Sequence, residues 1–390
     1  MNVISFRRAQ LSAAYYFLAP GIGYGLFTAR LPALAEQTGA TDADIGLALL
    51  AVGLGSLAML VMSAKIVRAI GNGAALKICA VWLGASVVLE GFAASPATLI
   101  AGAVLFGFGM GLCDAAMNIQ GILVERSYEK KALTFMHGAY SFGGISGAVA
   151  GSAGAAAGVG LSLNAAAVFI LFLLLMPLTF RGLKIEAPRM RAQSGESSAV
   201  RSSGSAIPGF IIVCGILSAF AYAAEGAVAE WGGLLLVGEK SASHEEAALV
   251  YAVFCTTALC MKLAGDRLRT LWGDFRLLAL GSAVAFVGLF TALAADAAAA
   301  SLAGFGIMGV GLAPIVPILF SCAGAAGDPV RAASFLSSLA YGGMLCFPPM
   351  LGFVAHATSV GTALVIVLGL AAAILAGSFI LRRRLGSPSS

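Results

Sequence analysis

The sequence predicts an all-α membrane protein with twelve transmembrane helices, arranged as two six-helix bundles. Three observations lead to this fold class: long apolar runs recur along the chain, basic residues collect in alternate connections, and the two halves resemble each other. Of the 390 residues, 60% are hydrophobic and 11% are charged, whereas roughly a quarter of the residues in soluble domains are charged. With a mean hydropathy of +0.96, the composition excludes an ordinary soluble enzyme.

The individual spans follow from the apolar runs, because a hydrocarbon core about 30 Å thick needs roughly 20 apolar residues per helix. The first run follows Arg7 and Arg8 and is longer than the apolar region of a signal peptide, so we expect it to be retained as a span. The first half of the chain contains spans near 11–35, 43–64, 73–93, 97–124, 132–158 and 161–181. The second half contains spans near 208–238, 246–264, 275–295, 297–322, 331–356 and 360–381.

The placement of charge supports this topology independently. Of the 23 basic residues, 21 fall in connections on one side, and the exceptions are Lys240 and Arg30. The opposite connections are acidic or neutral. Because Lys and Arg collect in cytoplasmic loops, both termini are predicted to be cytoplasmic in the bacterial inner membrane. The net charge of +5 is explained by this topology and requires no nucleic acid.

One long polar stretch, 182–207, is too rich in Ser, Gly and charge to build a core and predicts a cytoplasmic linker. It divides the chain into an N-terminal bundle, 1–181, and a C-terminal bundle, 208–390. The halves share short segments: GFGMGL at 107–112 with GFGIMGVGL at 304–312, FGGISG at 142–147 with YGGMLC at 341–346, and AIGNG at 69–73 with LWGDF at 271–275. Repeated halves are typical of transporters that move two bundles around a central site.

Ionisable residues at membrane depth are candidates for function, because their burial is costly unless they are paired or hydrated. The strongest candidate is Asp114, which lies on a helical stripe of small and polar residues comprising Gly107, Gly111, Asp114, Asn118, Gly121 and Glu125. We expect Asp114 to take part in proton handling and Asn118 to line the substrate site. The alternative is a structural hydrogen-bond node.

Further candidates lie on other spans. If Arg30 is buried it requires a carboxylate, carbonyls or an anionic substrate, and we expect it to bind substrate in the central polar lining. The alternative is that it extends to the external headgroups. Glu225 is expected in the cavity, whereas Glu230 beside Trp231 fits the external interface. Tyr24 and Tyr341 could stack on a sugar-like substrate or simply pack.

His137 is expected to be structural, because it lies near the basic cytoplasmic connection. Pro314 with Pro317, and Pro348 with Pro349, predict bent or discontinuous helices in spans 10 and 11, or static kinks.

Enzymatic and metal functions find little support in the sequence. It contains no P-loop, no GxSxG elbow and no HExxH helix. The three histidines share no ligand spacing, and the seven cysteines form no CxxC pair. We therefore expect neither a catalytic site nor a cofactor nor a bound metal.

The segment KLAGDRLRTLWGDFR at 262–276 resembles the cytoplasmic loop motif of the major facilitator superfamily, with its core at Gly265, Asp266 and Arg267. The resemblance implies that these residues help to hold one conformational state. The corresponding loop of the first half has Ala64 where the motif has its Asp.

A narrower resemblance covers nearly the whole chain. ARLPAL at 29–34, DADIGLALL at 42–50, the run from Glu225 and YGGMLCFPPMLG from Tyr341 are similar to the MosC and YbjJ branch, related to fucose:proton symporters. GLCDAAMN at 111–118 is similar to span 4 of those symporters, which implies a proton-coupling role for Asp114. Their second acidic residue corresponds here to Thr28.

These observations predict a secondary transporter that moves a small polar solute, such as a sugar, polyol or inositol derivative, with protons as the coupling ion. It is expected to act as a monomer in lipid. An efflux pump for amphipathic compounds is the alternative within transport. A membrane receptor built on a facilitator scaffold is the alternative outside it.

Overall fold

The computed structural model describes residues 4–40, 42–184, 207–242, 244–325 and 328–385, and each predicted span is helical in it. The first half contains α1 (Phe6–Thr38), α2 (Asp42–Ile70), α3 (Asn72–Glu90), α4 (Pro96–Tyr128), α5 (Leu133–Ala156) and α6 (Leu161–Leu175), followed by 3₁₀ turns at Met176–Thr179 and Gly182–Lys184. The second half contains α7 (Gly209–Glu239), α8 (His244–Trp272), α9 (Asp274–Ala294), α10 (Ala298–Leu312), α11 (Ile315–Ala325), α12 (Pro329–Ala357) and α13 (Val360–Leu385).

Length and hydropathy alone identify ten membrane-crossing segments among the described residues, with α10 and α11 counted as one. The remaining two predicted spans are α1, which contains Arg30, and the glycine-rich α5. The predicted linker falls mostly on 185–206, which lies outside the described residues.

The prolines of span 10 interrupt the helix as predicted. α10 ends at Leu312 and α11 begins at Ile315, so the break lies at Pro314. A proline has no N–H to donate and its ring clashes with the preceding turn, which explains the interruption. Span 11 behaves differently, since α12 continues through Pro348 and Pro349. The alternative of a discontinuous helix is therefore wrong for span 11.

The internal repeat is visible in the backbone as well as in the sequence. Gly71, between α2 and α3, has φ 86° and ψ 149°, and Gly273, between α8 and α9, has φ 81° and ψ 154°. This left-handed φ favours glycine. The two tight turns occupy equivalent positions in the two halves.

Each half packs into a bundle of its own, α1–α6 and α7–α13. In the first bundle, α1 lies against α5 and α2 against α4; in the second, α7 lies against α12 and α9 against α10. Glycines allow the closest of these contacts. A Cβ at Gly25 would lie only 2.1 Å from the carbonyl oxygen of Gly144. Small residues are the usual means by which membrane helices approach so closely.

The two bundles meet through α2 with α12, α5 with α8, and α4 with α11 and α12. One end of the molecule carries the start of α1, the α2–α3, α4–α5 and α8–α9 connections, and the end of α13. We call this the basic end, because its basic residues include Arg7, Lys131 and Arg382–Arg384.

Candidate functional site

Asp114 lies in the middle of α4, where the two bundles meet, and is 4% exposed. The glycines of its stripe have a packing role. A Cβ at Gly107 would lie 2.3 Å from the Val52 carbonyl oxygen, and one at Gly111 would lie 2.1 Å from that of Ser56. The stripe therefore brings α2 against α4 and leaves Asp114 enclosed.

A chain of hydrogen bonds leads from Asp114 to α5. The Asn118 amide donates to the Asp114 backbone carbonyl at 2.9 Å and faces its Oδ1 at 3.5 Å. His137 Nε2 donates to Asn118 Oδ1 at 3.0 Å. Asn118 is fully buried, so its side chain holds the carboxyl rather than lining an open surface.

His137 is 7% exposed and packs between aromatic rings. Its ring centroid lies 5.2 Å from that of Phe17 and 6.3 Å from that of Phe320. The expected structural role of His137 agrees with this packing. The hydrogen bond to Asn118 adds a polar connection to Asp114 that sequence reasoning did not identify.

Several tyrosines surround the carboxyl from different helices. Tyr140 of α5, Tyr222 of α7 and Tyr341 of α12 are close enough to interact electrostatically with Asp114. The Tyr222 and Tyr341 rings are 6.3 Å apart between centroids. The aromatic groups expected near a polar solute therefore meet at the bundle interface.

Glu225 of α7 is half-buried and lies within electrostatic reach of Tyr140, Tyr222 and Tyr251. Space is available beside it, because a Cβ at Gly226 would meet no heavy atom within 4 Å. Tyr24 of α1 is 39% exposed. These residues belong to the half of the interface away from the basic end, where polar groups border open space.

Arg30 lies elsewhere. It is 6% exposed, and its guanidinium donates from Nη1 to the Gly151 carbonyl at 3.3 Å and from Nη2 to the Val159 carbonyl at 2.7 Å. Both acceptors lie at the end of α5 and in the connection that follows. The partners of the buried Arg30 are therefore carbonyls, one of the three kinds considered above. Through them Arg30 joins α1 to the end of α5.

A charged cluster closes the interface at the basic end, and Asp266 is at its centre. Asp266 of α8 accepts hydrogen bonds from the backbone N–H groups of Thr134 at 3.0 Å and Phe135 at 2.9 Å. Gly265 permits this approach, since a Cβ there would lie 2.2 Å from Thr134 Cγ2. The second-half motif therefore joins α8 to the first turn of α5 in the other bundle.

Arg269 connects the cluster to α4 and α9. It is 1% exposed and donates to Glu125 at 3.0 Å, to Asp274 at 2.8 Å and to Asp266 at 3.4 Å. Lys131 donates to Asp274 at 2.6 Å. Glu125 accepts further bonds from the N–H groups at 132 and 133, at 2.8 and 3.0 Å.

Arg267, the basic residue that the motif suggested, is exposed and takes no part in the contacts of this cluster. Arg269 occupies the buried position instead. Helical spacing could have identified it, because residues three apart share a helix face whereas adjacent residues do not.

Other contacts join the bundles at the same end. Ser63 of α2 donates to Ser334 of α12 at 2.7 Å, and Lys262 of α8 donates to Ser141 of α5 at 3.0 Å. Arg68 pairs with Asp328, the N-cap of α12, although both side chains are about half exposed. The first-half loop lacks the motif Asp, and its ion pair to the second bundle is exposed to solvent. We therefore expect this ion pair to be weaker than the buried cluster around Arg269.

No group of three or more metal-ligating side chains is found among the described residues. A cavity of about 400 Å³ opens at the basic end beside α1, lined by residues that include Arg7, Arg8, Tyr15 and Thr179. It lies on the outer face of the first bundle, away from Asp114.

Comparisons with known proteins agree with this architecture. A sequence model described as the Major Facilitator Superfamily matches residues 14–331. Membrane protein MosC of Rhizobium meliloti is 26% identical over 382 residues, covering 97% of this chain and 91% of that protein.

Two solved structures are similar in fold. FucP, a Major Facilitator Superfamily transporter in the outward conformation, matches with a TM-score of 0.77 and 16% identity, over 95% of this chain and 98% of that chain. The proton:xylose symporter XylE matches with a TM-score of 0.71 and 14% identity, over 97% of this chain and 95% of that chain.

Proposed function

Because this chain belongs to the major facilitator superfamily of transporters, we propose that it moves a small polar solute across the membrane by alternating access, coupled to protons. The observation that carries the proposal is the position of Asp114. It is a buried carboxyl at the centre of the bundle interface, held by Asn118 and surrounded by tyrosines from three helices. Ionisable groups at this depth mark ion and substrate pathways.

The solute is proposed to be a sugar, polyol or inositol-like compound. Tyrosine rings offer apolar faces for the C–H surface of such a molecule and hydroxyls for its polar rim. Tyr24, Tyr341 and Glu225 are the groups we expect it to contact. The likeness in fold to a xylose symporter favours the same class of solute.

The basic end is proposed to be cytoplasmic, in keeping with the distribution of Lys and Arg. With that orientation, the contacts of Asp266, Arg269 and Ser63 close the cytoplasmic side, and the space beside Glu225 is reached from outside. The structure would then represent an outward-facing state. Cysteines introduced one at a time near Asp42 and Ser197, in a chain lacking native cysteines, test the orientation: external reagent should label the first only.

Asp114 is proposed to carry the coupling proton. Arg30 is occupied by the carbonyls of Gly151 and Val159, so it does not neutralise this carboxyl in the state described. A carboxyl without a cationic partner can be buried as the neutral acid at far lower cost than as the anion. Access to water in the other state would then permit proton release.

The experiment uses purified protein in proteoliposomes. A ligand-stabilisation screen of sugars, polyols, inosamines and amphipathic drugs first identifies a solute, and uptake is then driven by an imposed pH difference alone. Asp114→Asn should abolish accumulation against the solute gradient while retaining counterflow, which requires no net proton movement. Glu225→Gln should weaken solute binding instead.

Three outcomes would contradict the proposal. Accumulation by Asp114→Asn under a pH difference would remove Asp114 as the coupling site and make Glu225 the next candidate. Binding without flux would indicate a receptor. Stabilisation by drugs alone, with transport of those drugs, would indicate an efflux pump.

A further inference from the structure

The cavity of about 400 Å³ at the basic end lies between the start of α1 and the 3₁₀ turn that follows α6. α1 supplies one wall, because residues three and four apart share a helix face. Along that face the lining side chains change in character: Arg7 and Arg8 come first, and Leu11 and Tyr15 follow. The opposite wall includes the exposed Leu178. The cavity therefore has a cationic rim at the end of the span and apolar side chains further along it.

Direct contacts hold the two walls of the cavity in position. Tyr15 stacks on Phe172 of α6 with 4.2 Å between the ring centroids, and its hydroxyl donates to the Phe172 carbonyl. The second 3₁₀ turn also packs against α1, because a Cβ at Gly182 would lie only 2.1 Å from Ser12 Oγ. The cavity is therefore enclosed by packed parts of the first bundle.

The polar groups that line the cavity lack protein partners. Within the described part of the chain, neither Arg7 nor Arg8 forms an ion pair, whereas the buried carboxylates of the basic end bind Arg269 and Lys131. Ser12 also lines the cavity and is 5% exposed, and its hydroxyl has no hydrogen-bond partner among the described residues. Buried hydroxyls nearly always have a partner. Two guanidiniums and a buried hydroxyl in one cavity therefore indicate an anionic ligand.

An exposed apolar stripe on α6 leads to the same cavity. Leu171, Leu174 and Leu178 are all exposed and lie three and four residues apart. The segment Leu161–Thr179 is long and apolar enough to cross the membrane, so this exposed face lies against lipid chains. The stripe ends at Leu178 on the cavity wall. A headgroup in the cavity would therefore have its acyl chains beside the stripe.

We propose that this cavity binds the headgroup of an anionic phospholipid, with the phosphate at the two arginines and an acyl chain along Leu174 and Leu178. Guanidiniums bind phosphate oxygens through two parallel N–H donors, and basic pockets at the membrane surface are typical sites for such headgroups. A free phosphate would match the arginines alone, whereas the exposed leucines favour a lipid. The inference does not depend on the transported solute, because the cavity lies on the outer face of the first bundle, away from Asp114.

Native mass spectrometry of the delipidated protein measures the binding directly. Dioleoyl phosphatidylglycerol is titrated as the anionic lipid, dioleoyl phosphatidylethanolamine as a zwitterionic lipid with the same chains, and glycerol 3-phosphate as a headgroup phosphate without chains. Arg7→Gln combined with Arg8→Gln removes both guanidiniums. Lys65→Gln combined with Arg276→Gln is the matched control, since it removes the same charge from exposed positions at the same end.

The apolar part of the site has its own pair of variants. Leu178→Gln places an amide on the cavity wall. Leu163→Gln places one at the opposite end of α6, where the leucine is 68% exposed compared with 72% for Leu178. Because both side chains face outward, we expect both variants to fold, and thermal unfolding in detergent verifies this for every variant.

We expect one molecule of phosphatidylglycerol to bind roughly tenfold or more tightly than either other probe. Arg7→Gln combined with Arg8→Gln should weaken its binding by roughly tenfold or more, and Leu178→Gln by about threefold, while both control variants stay within about twofold of the parent chain. An equal loss with Lys65→Gln and Arg276→Gln would overturn the inference, because the charge of the whole end would then attract the lipid. Equal affinity for phosphatidylethanolamine would also overturn it, and equal affinity for glycerol 3-phosphate would overturn it in favour of a soluble phosphate compound.

Discussion

Asp266 of α8 caps the first turn of α5 from the other bundle, accepting the backbone N–H of Thr134 at 3.0 Å. The N-terminus of a helix has unpaired N–H groups and a partial positive charge, so a carboxylate placed there is stabilised by both. The contact crosses the bundle interface and must break when the basic end opens. We therefore expect it to favour the closed state without contacting the solute.

We predict that Asp266→Asn weakens this closed state. The amide keeps the shape but loses the charge, and its NH₂ group cannot accept the second N–H; a loss of about 1.5 kcal/mol corresponds to roughly tenfold in the open-to-closed ratio. Reactivity of a cysteine placed at Ser141 measures the opening. Asp296→Asn, at the exposed connection after α9, is the matched control and should change nothing. A large loss of solute affinity in a conformationally locked Asp266→Asn chain would contradict the assignment.

The buried guanidinium of Arg269 makes a second prediction. Arg269 neutralises Glu125, Asp266 and Asp274 in a region from which water is largely excluded. Arg269→Gln leaves these carboxylates with Lys131 as the remaining cation of the cluster, and removal of one member of a buried ion pair costs about 3–5 kcal/mol. Thermal unfolding in detergent should therefore begin at a clearly lower temperature. Arg267→Gln, two residues away and exposed, should unfold like the parent chain; equal effects of the two substitutions would contradict the cluster.

Some features of the fold and of the candidate site can be predicted from the sequence, and others cannot. The spans, the internal repeat and the break at Pro314 depend on local composition, so apolar runs and proline positions predict them. Asp114 stands out in the sequence because it is the carboxyl at mid-span on its stripe of small and polar residues. Contacts between residues more than a hundred positions apart, such as Arg269 with Glu125, depend on how the bundles dock and have no local signal.

The motif around Gly265 shows where prediction from the sequence stops. Sequence similarity directs attention to Arg267, because it follows Asp266 directly. Helical geometry favours Arg269, three residues from Asp266 on the same face, and the structure buries Arg269. The partners of Arg30 could not be predicted from the sequence, because they are backbone carbonyls and every residue has one.

The close packing of α1 against α5 predicts a steric effect at Gly25. A Cβ there would lie 2.1 Å from the Gly144 carbonyl oxygen and 2.8 Å from the Ala148 nitrogen, both backbone atoms that cannot rotate away. Gly25→Ala should destabilise the first bundle by about 1–3 kcal/mol. Gly226→Ala, on α7 with no heavy atom within 4 Å of its Cβ, is the control and should retain the parent stability. An unchanged melting temperature in Gly25→Ala would mean that α1 and α5 are further apart.

Arg30 provides a prediction that separates a structural role from a coupling role. Its guanidinium satisfies the carbonyls of Gly151 and Val159 from a position 6% exposed, and a hydrogen bond from a charged donor contributes about 1.5–3 kcal/mol. Arg30→Gln should lower the thermal stability accordingly. Arg30→Lys should restore it only in part, because an ammonium on a single stem cannot reach both carbonyls in the fork geometry of Arg. Solute accumulation driven by a pH difference, expressed per folded protein, should stay within about twofold of the parent chain. If Arg30→Gln instead keeps its stability and loses accumulation as Asp114→Asn is expected to do, then Arg30 leaves its carbonyls during transport and approaches Asp114 in the other access state.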